Sequence, residues 1–321
     1  MTETIEHSVT VPSDMHGLRL DQAAAVLFPD HSRARLQGWV RAGQLTVDGR
    51  EVRPRHKLLG GERIKLQAEL PSEGEWLAED IAIDIVHEDE SVMVINKPAG
   101  MVVHPAAGNY TGTLVNALLH YRPAQESLPR AGIVHRLDKD TSGLLMVAKT
   151  QSAQANLVVQ LQARTVNREY QALVCGDMTG GGKVDAAISR HPKLRKQMAV
   201  VTHGGKEAVT HYKLLARLKG YTHLRLKLET GRTHQIRVHM AHIRHPLLGD
   251  PVYGKKPSKL HTLEPTLAAM LRDFPRQALH ATQLGFDHPA SGQYQQWQAP
   301  LPEDMTQLLH ALHNQDEDVD G

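Results

Sequence analysis

Along the 321-residue chain the spacing of apolar positions changes repeatedly, and each change marks an element. Leu20, Ala23, Ala24 and Leu27 recur at helical spacing, and Pro29-Asp30 closes that helix. Ser32 is a suitable N-cap for a second helix over 33–42, with Leu36 and Val40 inward and Arg33, Arg35 and Arg41 left for the outer face. Leu45-Thr-Val47 runs into Asp48-Gly49, a hairpin signal, and 62–66 alternates as a strand. A polar, breaker-rich stretch at 71–75 reads as a linker. Beyond it, strands are expected at 92–95 and 170–175 and helices at 113–121 and 152–163. Leu224, Leu226 and Leu228 alternate with Arg225, Lys227 and Glu229, the pattern of a half-buried antiparallel strand with its charged face outward. Thr230-Gly231 then turns into a candidate helix over 233–243. The expected organisation is a small module at 16–67, an acidic linker at 68–80, an α+β domain at 81–312 on a mixed, largely antiparallel sheet, and an acidic tail at 313–321.

Composition narrows the class. Apolar residues make up 40% of the chain, enough for a core, whereas aromatics at 4% are scarce, so each invites a question about its role. Cys175 is the only cysteine, so no disulfide can form within the chain. The first residues lack a basic and an apolar signal region, and no run approaches the ~18 apolar residues of a membrane helix. A soluble, cytoplasmic protein without a membrane partner is expected. The net charge of +2 conceals blocks. Residues 16–67 carry ten Lys/Arg against five Asp/Glu, 68–90 carry nine acidic residues and no basic one, and 189–244 carry thirteen basic against two acidic. Such blocks fit a local footprint for nucleic acid, although a solvated basic face would look the same.

The stretch His135-Arg-Leu-Asp138-Lys-Asp-Thr-Ser-Gly143-Leu-Leu-Met-Val-Ala-Lys149 carries the chemistry. A charged, turn-forming segment enters an apolar run at 144–148, so Asp138 is expected on a loop at the mouth of a sheet, with Arg136 and Lys139 beside it. In most proteins such an aspartate makes only a weak surface pair. The whole string, however, resembles the signature His-Arg-Leu-Asp-x-x-Thr-Ser-Gly-Leu of the RluA family of ribosomal and transfer RNA pseudouridine synthases. Three further segments match in order: Asn96-Lys97-Pro98-Ala-Gly100 with His104-Pro105, Arg168-Glu-Tyr170-Gln-Ala-Leu-Val174, and Leu228-Glu-Thr-Gly231-Arg-Thr-His-Gln-Ile236-Arg237-Val-His239. The first reads locally as a turn after a strand. The N-terminal pattern is similar to the S4 RNA-binding domain, with Arg33, Arg35 and Arg41 as its RNA-facing residues. The resemblance implies the bent sheet with a central cleft of the pseudouridine synthases. It also implies Asp138 as the catalytic residue, Tyr170 packed on the target base, Ile236 near that tyrosine, Arg237 paired with the catalytic carboxylate, and Arg136 on the substrate. The strings ending Pro129-Arg-Ala-Gly-Ile-Val-His-Arg-Leu-Asp138, Ile188-Ser-Arg-His-Pro192 and His245-Pro-Leu-x-Gly-Asp250 are most similar to members acting on large-subunit (23S) ribosomal RNA.

The implied reaction breaks the glycosidic bond of a uridine, turns the base and rejoins it through carbon. It neither gains nor loses atoms, so no cofactor and no metal is expected. It requires an ionised carboxylate against the sugar, as nucleophile or as base, a bidentate arginine to orient it and a pocket for the extruded base. The partner is then ribosomal RNA or its precursor particle, met by a monomer. Alternatives are a paralogue for other uridines or a non-catalytic RNA-binding assembly factor, against which Asp138, Tyr170 and Arg237 together argue. His239-x-x-His242-x-x-His245 reads as exposed, RNA-facing histidines, because the third swings off the face of the first and no further ligand lies nearby. Gly180-Gly-Gly182-Lys183 precedes Val184, so the phosphate-loop pattern fails. Asp140 beside Lys139 lacks the environment of a second, protonated acid for glycosidase chemistry.

Overall fold

The pattern of the first 75 residues folds into a unit of its own, and residues 76–321 form a second. The structure, a computed structural model, describes residues 3–29, 33–70, 76–105, 111–194, 197–218, 220–254 and 263–317. In the first unit, β1 (Glu3–Thr10), β2 (Leu45–Val47) and β3 (Arg63–Leu70) form an antiparallel sheet in the order β1-β3-β2, accompanied by α1 (Leu20–Leu27) and α2 (Arg33–Arg41). Leu20, Ala23, Ala24, Leu36, Val40, Leu45, Ile64 and Leu66 build its core, as their spacing predicts. Asp48 and Gly49 both adopt left-handed φ, the requirement of the turn that follows β2.

Three expected boundaries move. β1 lies upstream of residue 16, where the module was expected to begin, and pairs with β3 along its whole length. Its apolar positions, Ile5 and Val9, are four apart with His7 between them, too sparse an alternation to stand out. β3 runs on to Leu70, so the first residues of the expected acidic linker are strand. Ser32 and residues 71–75 lie outside the described residues, as do the side chains of Arg33 and Arg35. Arg41 is exposed at the end of α2.

In the second unit, nine strands form one mixed sheet. They are β4 (Ile85–Glu88), β5 (Val92–Lys97), β6 (Ser142–Ala148), β7 (Asn167–Cys175), β8 (Gly182–Asp185), β11 (Val209–Leu218), β12 (Tyr221–Leu228), β13 (Leu279–Asp287) and β14 (Tyr294–Gln298). A separate pair, β9 (Ile188–Arg190) and β10 (Met198–Val200), lies outside it. The order is β4-β5-β6-β13-β7-β12-β11-β8, with β14 on β13, and every pairing is antiparallel except β6 with β13. The helices are α3 (Leu114–Tyr121), α4 (Gln151–Ala163), α5 (Gln235–His242), α6 (Pro265–Asp273) and α7 (Glu303–Glu317). The tail expected from 313 therefore begins inside α7. Among the described residues no helix is long and apolar enough to cross a membrane.

The unbroken apolar runs of β5 and β6 follow from burial on both faces. Met93, Ile95, Leu145 and Val147 pack with Leu114, Val115 and Leu118 of α3, while Val92, Val94, Leu144 and Met146 pack with Ala153 and Leu157 of α4. The parallel β6–β13 pairing sets Ala281 against Gly143, which explains a glycine of the Asp138 string. Gly143 has φ +111, and a Cβ there would lie 2.3 Å from the Ala281 carbonyl oxygen. That close approach fixes where the Asp138 loop joins the sheet.

Candidate active site

The loop before β6 is held from three sides. Lys97, at the end of β5, is fully buried, and its Nζ donates to the carbonyls of Pro98 (2.7 Å), Met101 (2.9 Å) and Lys139 (3.0 Å). The Gly100 amide donates to the same Lys139 carbonyl at 2.9 Å, from a turn in which Gly100 has φ +87. Gln277 Nε2 donates to Thr141 Oγ1 at 3.1 Å, and Arg276 Nη1 reaches the Asp140 carbonyl at 3.3 Å. The Asn96–Gly100 turn is thus a brace on the loop as well as a change of chain direction. Burial pulls the Lys97 pKa down to about 7, against the attraction of Asp140 and Asp138.

Asp138 leaves this braced loop with its side chain 17% exposed. Arg237, from α5, donates from Nη1 to Asp138 Oδ2 at 2.9 Å. The bidentate edge expected to face Asp138 faces Asp250 instead: Nε and Nη2 donate to its two oxygens at 2.7 and 2.9 Å. Asp250 is fully buried as a side chain and also accepts the Val252 and Tyr253 amides at 2.8 and 3.0 Å. Burial pushes its pKa up, but Arg237 and those amides outweigh this and hold the carboxyl below its usual range. Arg237 thus orients Asp138 through a single hydrogen bond from Nη1.

A second contact approaches the other Asp138 oxygen. His234 takes left-handed φ at the start of α5, with Nε2 3.9 Å from Asp138 Oδ1. Its Nδ1 lies 2.9 Å from the Tyr253 hydroxyl, which accepts the Met198 amide at 2.8 Å. In the tautomer whose Nδ1 accepts the hydroxyl proton, the neutral ring carries its own proton on Nε2, facing Asp138. Burial lowers the His234 pKa and so favours that neutral form, partly offset by Asp138. The Tyr253 ring also lies 5.2 Å from the Arg237 guanidinium carbon.

Asp138 and Arg237 line a cavity of about 910 Å³, together with Arg136, Arg168, Tyr170 and Ile236. Tyr170 is 6% exposed, burial raises its pKa, and it shares one apolar cluster with Ile236. The space is large enough for a nucleoside. Five candidates named from the sequence, Arg136, Asp138, Tyr170, Ile236 and Arg237, thus meet at one place. Arg41, with α2, belongs to the other unit.

Residues 91–242 match the family model described as RNA pseudouridylate synthase, and residues 18–64 match the S4 domain. The chain is 56% identical over 312 residues to a protein of Pseudomonas aeruginosa named ribosomal large subunit pseudouridine synthase D, covering 97% of each. It belongs to the RluA-type pseudouridine synthases. A Yersinia pestis protein of the same name is 52% identical, covering 97% of this chain and 96% of its own length. Among solved structures, human RNA pseudouridylate synthase domain containing 4 has a TM-score of 0.55 at 26% identity, covering 72% of this chain and 93% of that one. As a family member the chain is an enzyme, an RNA isomerase with an N-terminal S4 domain.

In this synthase His239 and His245 of the histidine triplet take structural positions that its spacing did not reveal. His239, expected to be exposed, is fully buried, with Nδ1 2.9 Å from Thr210 Oγ1 and Nε2 2.9 Å from the Ala186 carbonyl. His245 Nδ1 lies 3.0 Å from the Cys175 carbonyl, and only His242 is exposed. Residue-by-residue reading missed the parts that act on Asp138 at one remove: Lys97, His234, Asp250 and Tyr253. The string Gly249-Asp250-Pro-Val-Tyr253 was a usable signal, since a tight turn there accepts its own amides on Asp250.

Proposed function

We propose that this synthase isomerises uridines of large-subunit ribosomal RNA to pseudouridine, with Asp138 acting on the ribose of an extruded uridine. The observation that carries the reading is the Asp138–Arg237 pair, 2.9 Å apart, on the wall of a cavity shared with Tyr170 and Ile236. A flipped uracil needs such an apolar and aromatic wall, and the carboxylate needs an orienting cation beside it. Attack on the ribose breaks the C1′–N1 bond; the base turns, C5 joins C1′, the C5 proton leaves and N1 gains one. The names of the relatives support the ribosomal target. Arg136 grips the substrate at the exposed rim, while Arg33, Arg35 and Arg41 of the S4 domain grip RNA backbone. The enzyme acts as a monomer, in the cytoplasm where that RNA is assembled into particles.

The test is Asp138→Asn, assayed by tritium release from rRNA carrying 5-tritiated uridine. Turnover should vanish while RNA affinity stays within about tenfold, or ~1.4 kcal/mol. Retention of more than a few per cent of the wild-type rate would overturn the assignment. Mapping pseudouridines in rRNA from cells lacking the protein should show missing sites in the large subunit; an unchanged large-subunit map would refute the target.

A further inference from the structure

Arg168 is the second residue of β7, two positions before Tyr170 and therefore on the same face of the strand. It is 6% exposed and lines the cavity that holds Asp138. Its described hydrogen bond runs from Nη2 to the Glu229 carbonyl at 3.3 Å, and its Nε meets no acceptor among the described residues. Burial pulls its pKa down, and no carboxylate among the described residues offsets this. The fold makes room for the group deliberately, because a Cβ at Gly231 would lie 2.7 Å from Nη1. Gly231 has no left-handed φ, so its lack of a side chain serves this packing rather than backbone freedom. A guanidinium buried without a counter-charge is costly, and folding alone gives no reason to keep one.

We infer that Arg168 is a further catalytic residue, donating from its uncommitted edge to a uracil carbonyl oxygen and stabilising the charge of the departing base. This rests on the proposed action of Asp138 at the ribose. When the C1′–N1 bond breaks, its electron pair leaves with N1 and spreads onto O2 and O4. The same pair returns through C5 as the C1′–C5 bond forms, and the C5 proton is then lost while N1 is protonated. The account is the same whether Asp138 is nucleophile or base, since both send the pair into the ring. The buried cation is compensated most fully at the step where the base is an anion, which is the condition for lowering a barrier rather than merely binding substrate. Its depth, beside Tyr170 rather than at the exposed rim with Arg136, favours a base oxygen over a phosphate.

The experiment compares full-length Arg168→Met and Arg168→Lys on rRNA fragments carrying uridine or 5-fluorouridine at the target, since fluorine makes the base a better leaving group. On uridine RNA the single-turnover rate of Arg168→Met should fall about 100-fold or more, with Kd for RNA within about threefold and partial recovery in Arg168→Lys. On 5-fluorouridine RNA the loss in the rate of nucleoside conversion should be about tenfold smaller. The ratio between the two substrates cancels any loss of folded enzyme. Equal losses on both would overturn the inference. So would an unchanged rate with weaker binding and a shallower salt dependence, the signature of a phosphate contact. Asp138→Asn is run alongside: activity surviving there removes the underlying reading, whereas an inactive Asp138→Asn with a fully active Arg168→Met removes this inference alone.

Discussion

Replacing Asp250 by asparagine isolates the ion pair behind the catalytic candidate. The substitution keeps Oδ1, which accepts Arg237 Nη2 and the Val252 and Tyr253 amides. It exchanges Oδ2 for an amine set 2.7 Å from Arg237 Nε, so a donor then faces a donor. The Arg237 side chain is 5% exposed and cannot turn to water, so its charge is left with Asp138 alone. Removing one partner of such a buried pair costs about 3–5 kcal/mol, and the surviving Asp138 contact puts the expectation at the lower end, about 3. In a domain of this size that is a fall of roughly 6–12 °C in Tm. The loss has a pH signature. Asp250 is held below its ordinary 3.8 in the folded protein, so it contributes stability above that range and loses it as pH falls through the folded value. The wild-type advantage should be complete above about pH 5 and shrink toward more acid conditions. Thermal unfolding of both proteins across this range, followed by circular dichroism, measures it. A Tm within about 2 °C of wild type at pH 7, or a difference that does not change with pH, would refute the reasoning.

Three further outcomes follow from the same contacts. In Lys97→Met the braced loop should loosen and turnover fall, and a stability slope should disappear: the unfolded chain keeps this proton to about 10.5 and the folded one only to about 7, so wild-type stability should rise with pH between the two, by up to ~1.4 kcal/mol per unit. A wild-type profile flat over that window would mean that the three carbonyl acceptors hold the proton against burial. Gly143→Ala should collapse soluble yield or Tm, given its φ of +111 and the 2.3 Å clash with the Ala281 carbonyl; near-native melting would contradict the β6–β13 approach. Deleting residues 1–75 should weaken RNA binding and reduce its log–log salt slope by about 0.7–0.9 per lost phosphate contact, with the single-turnover rate at saturating RNA little changed. Equal slopes in a salt titration would show that the S4 unit does not touch RNA.

Local order was legible in the chain wherever one element explains its own pattern. The alternation of Leu224, Leu226 and Leu228 with charged neighbours is that of β12, whose exposed positions are Arg225 and Lys227. The helices expected at 113–121 and 152–163 form as α3 and α4 within one residue of those bounds, with Thr113 serving as the cap of α3. Asp138, Tyr170, Ile236 and Arg237 also line one cavity, a convergence that only the resemblance to the synthase family implied and that no single string encodes.

What stayed hidden are the choices of partner made across the fold. Arg237 is 99 residues from Asp138 and 13 from Asp250, yet it gives its bidentate edge to the second, and no spacing in the chain distinguishes the two. Lys97 reads as a charged residue closing a strand, where solvent exposure is the ordinary expectation. Its burial follows from three carbonyls, one of them 42 residues away, that converge only when β5 and the Asp138 loop meet. His239 errs in the same direction, since Thr210 and the Ala186 carbonyl satisfy both ring nitrogens and allow burial that its charged surroundings argue against. In each case a polar residue is buried because distant groups satisfy it, so its environment is a property of the assembled fold and not of its segment. Arg168 breaks that rule. It is buried like the others, but the described protein groups leave its Nε without an acceptor, which the proposed contact to the base would supply.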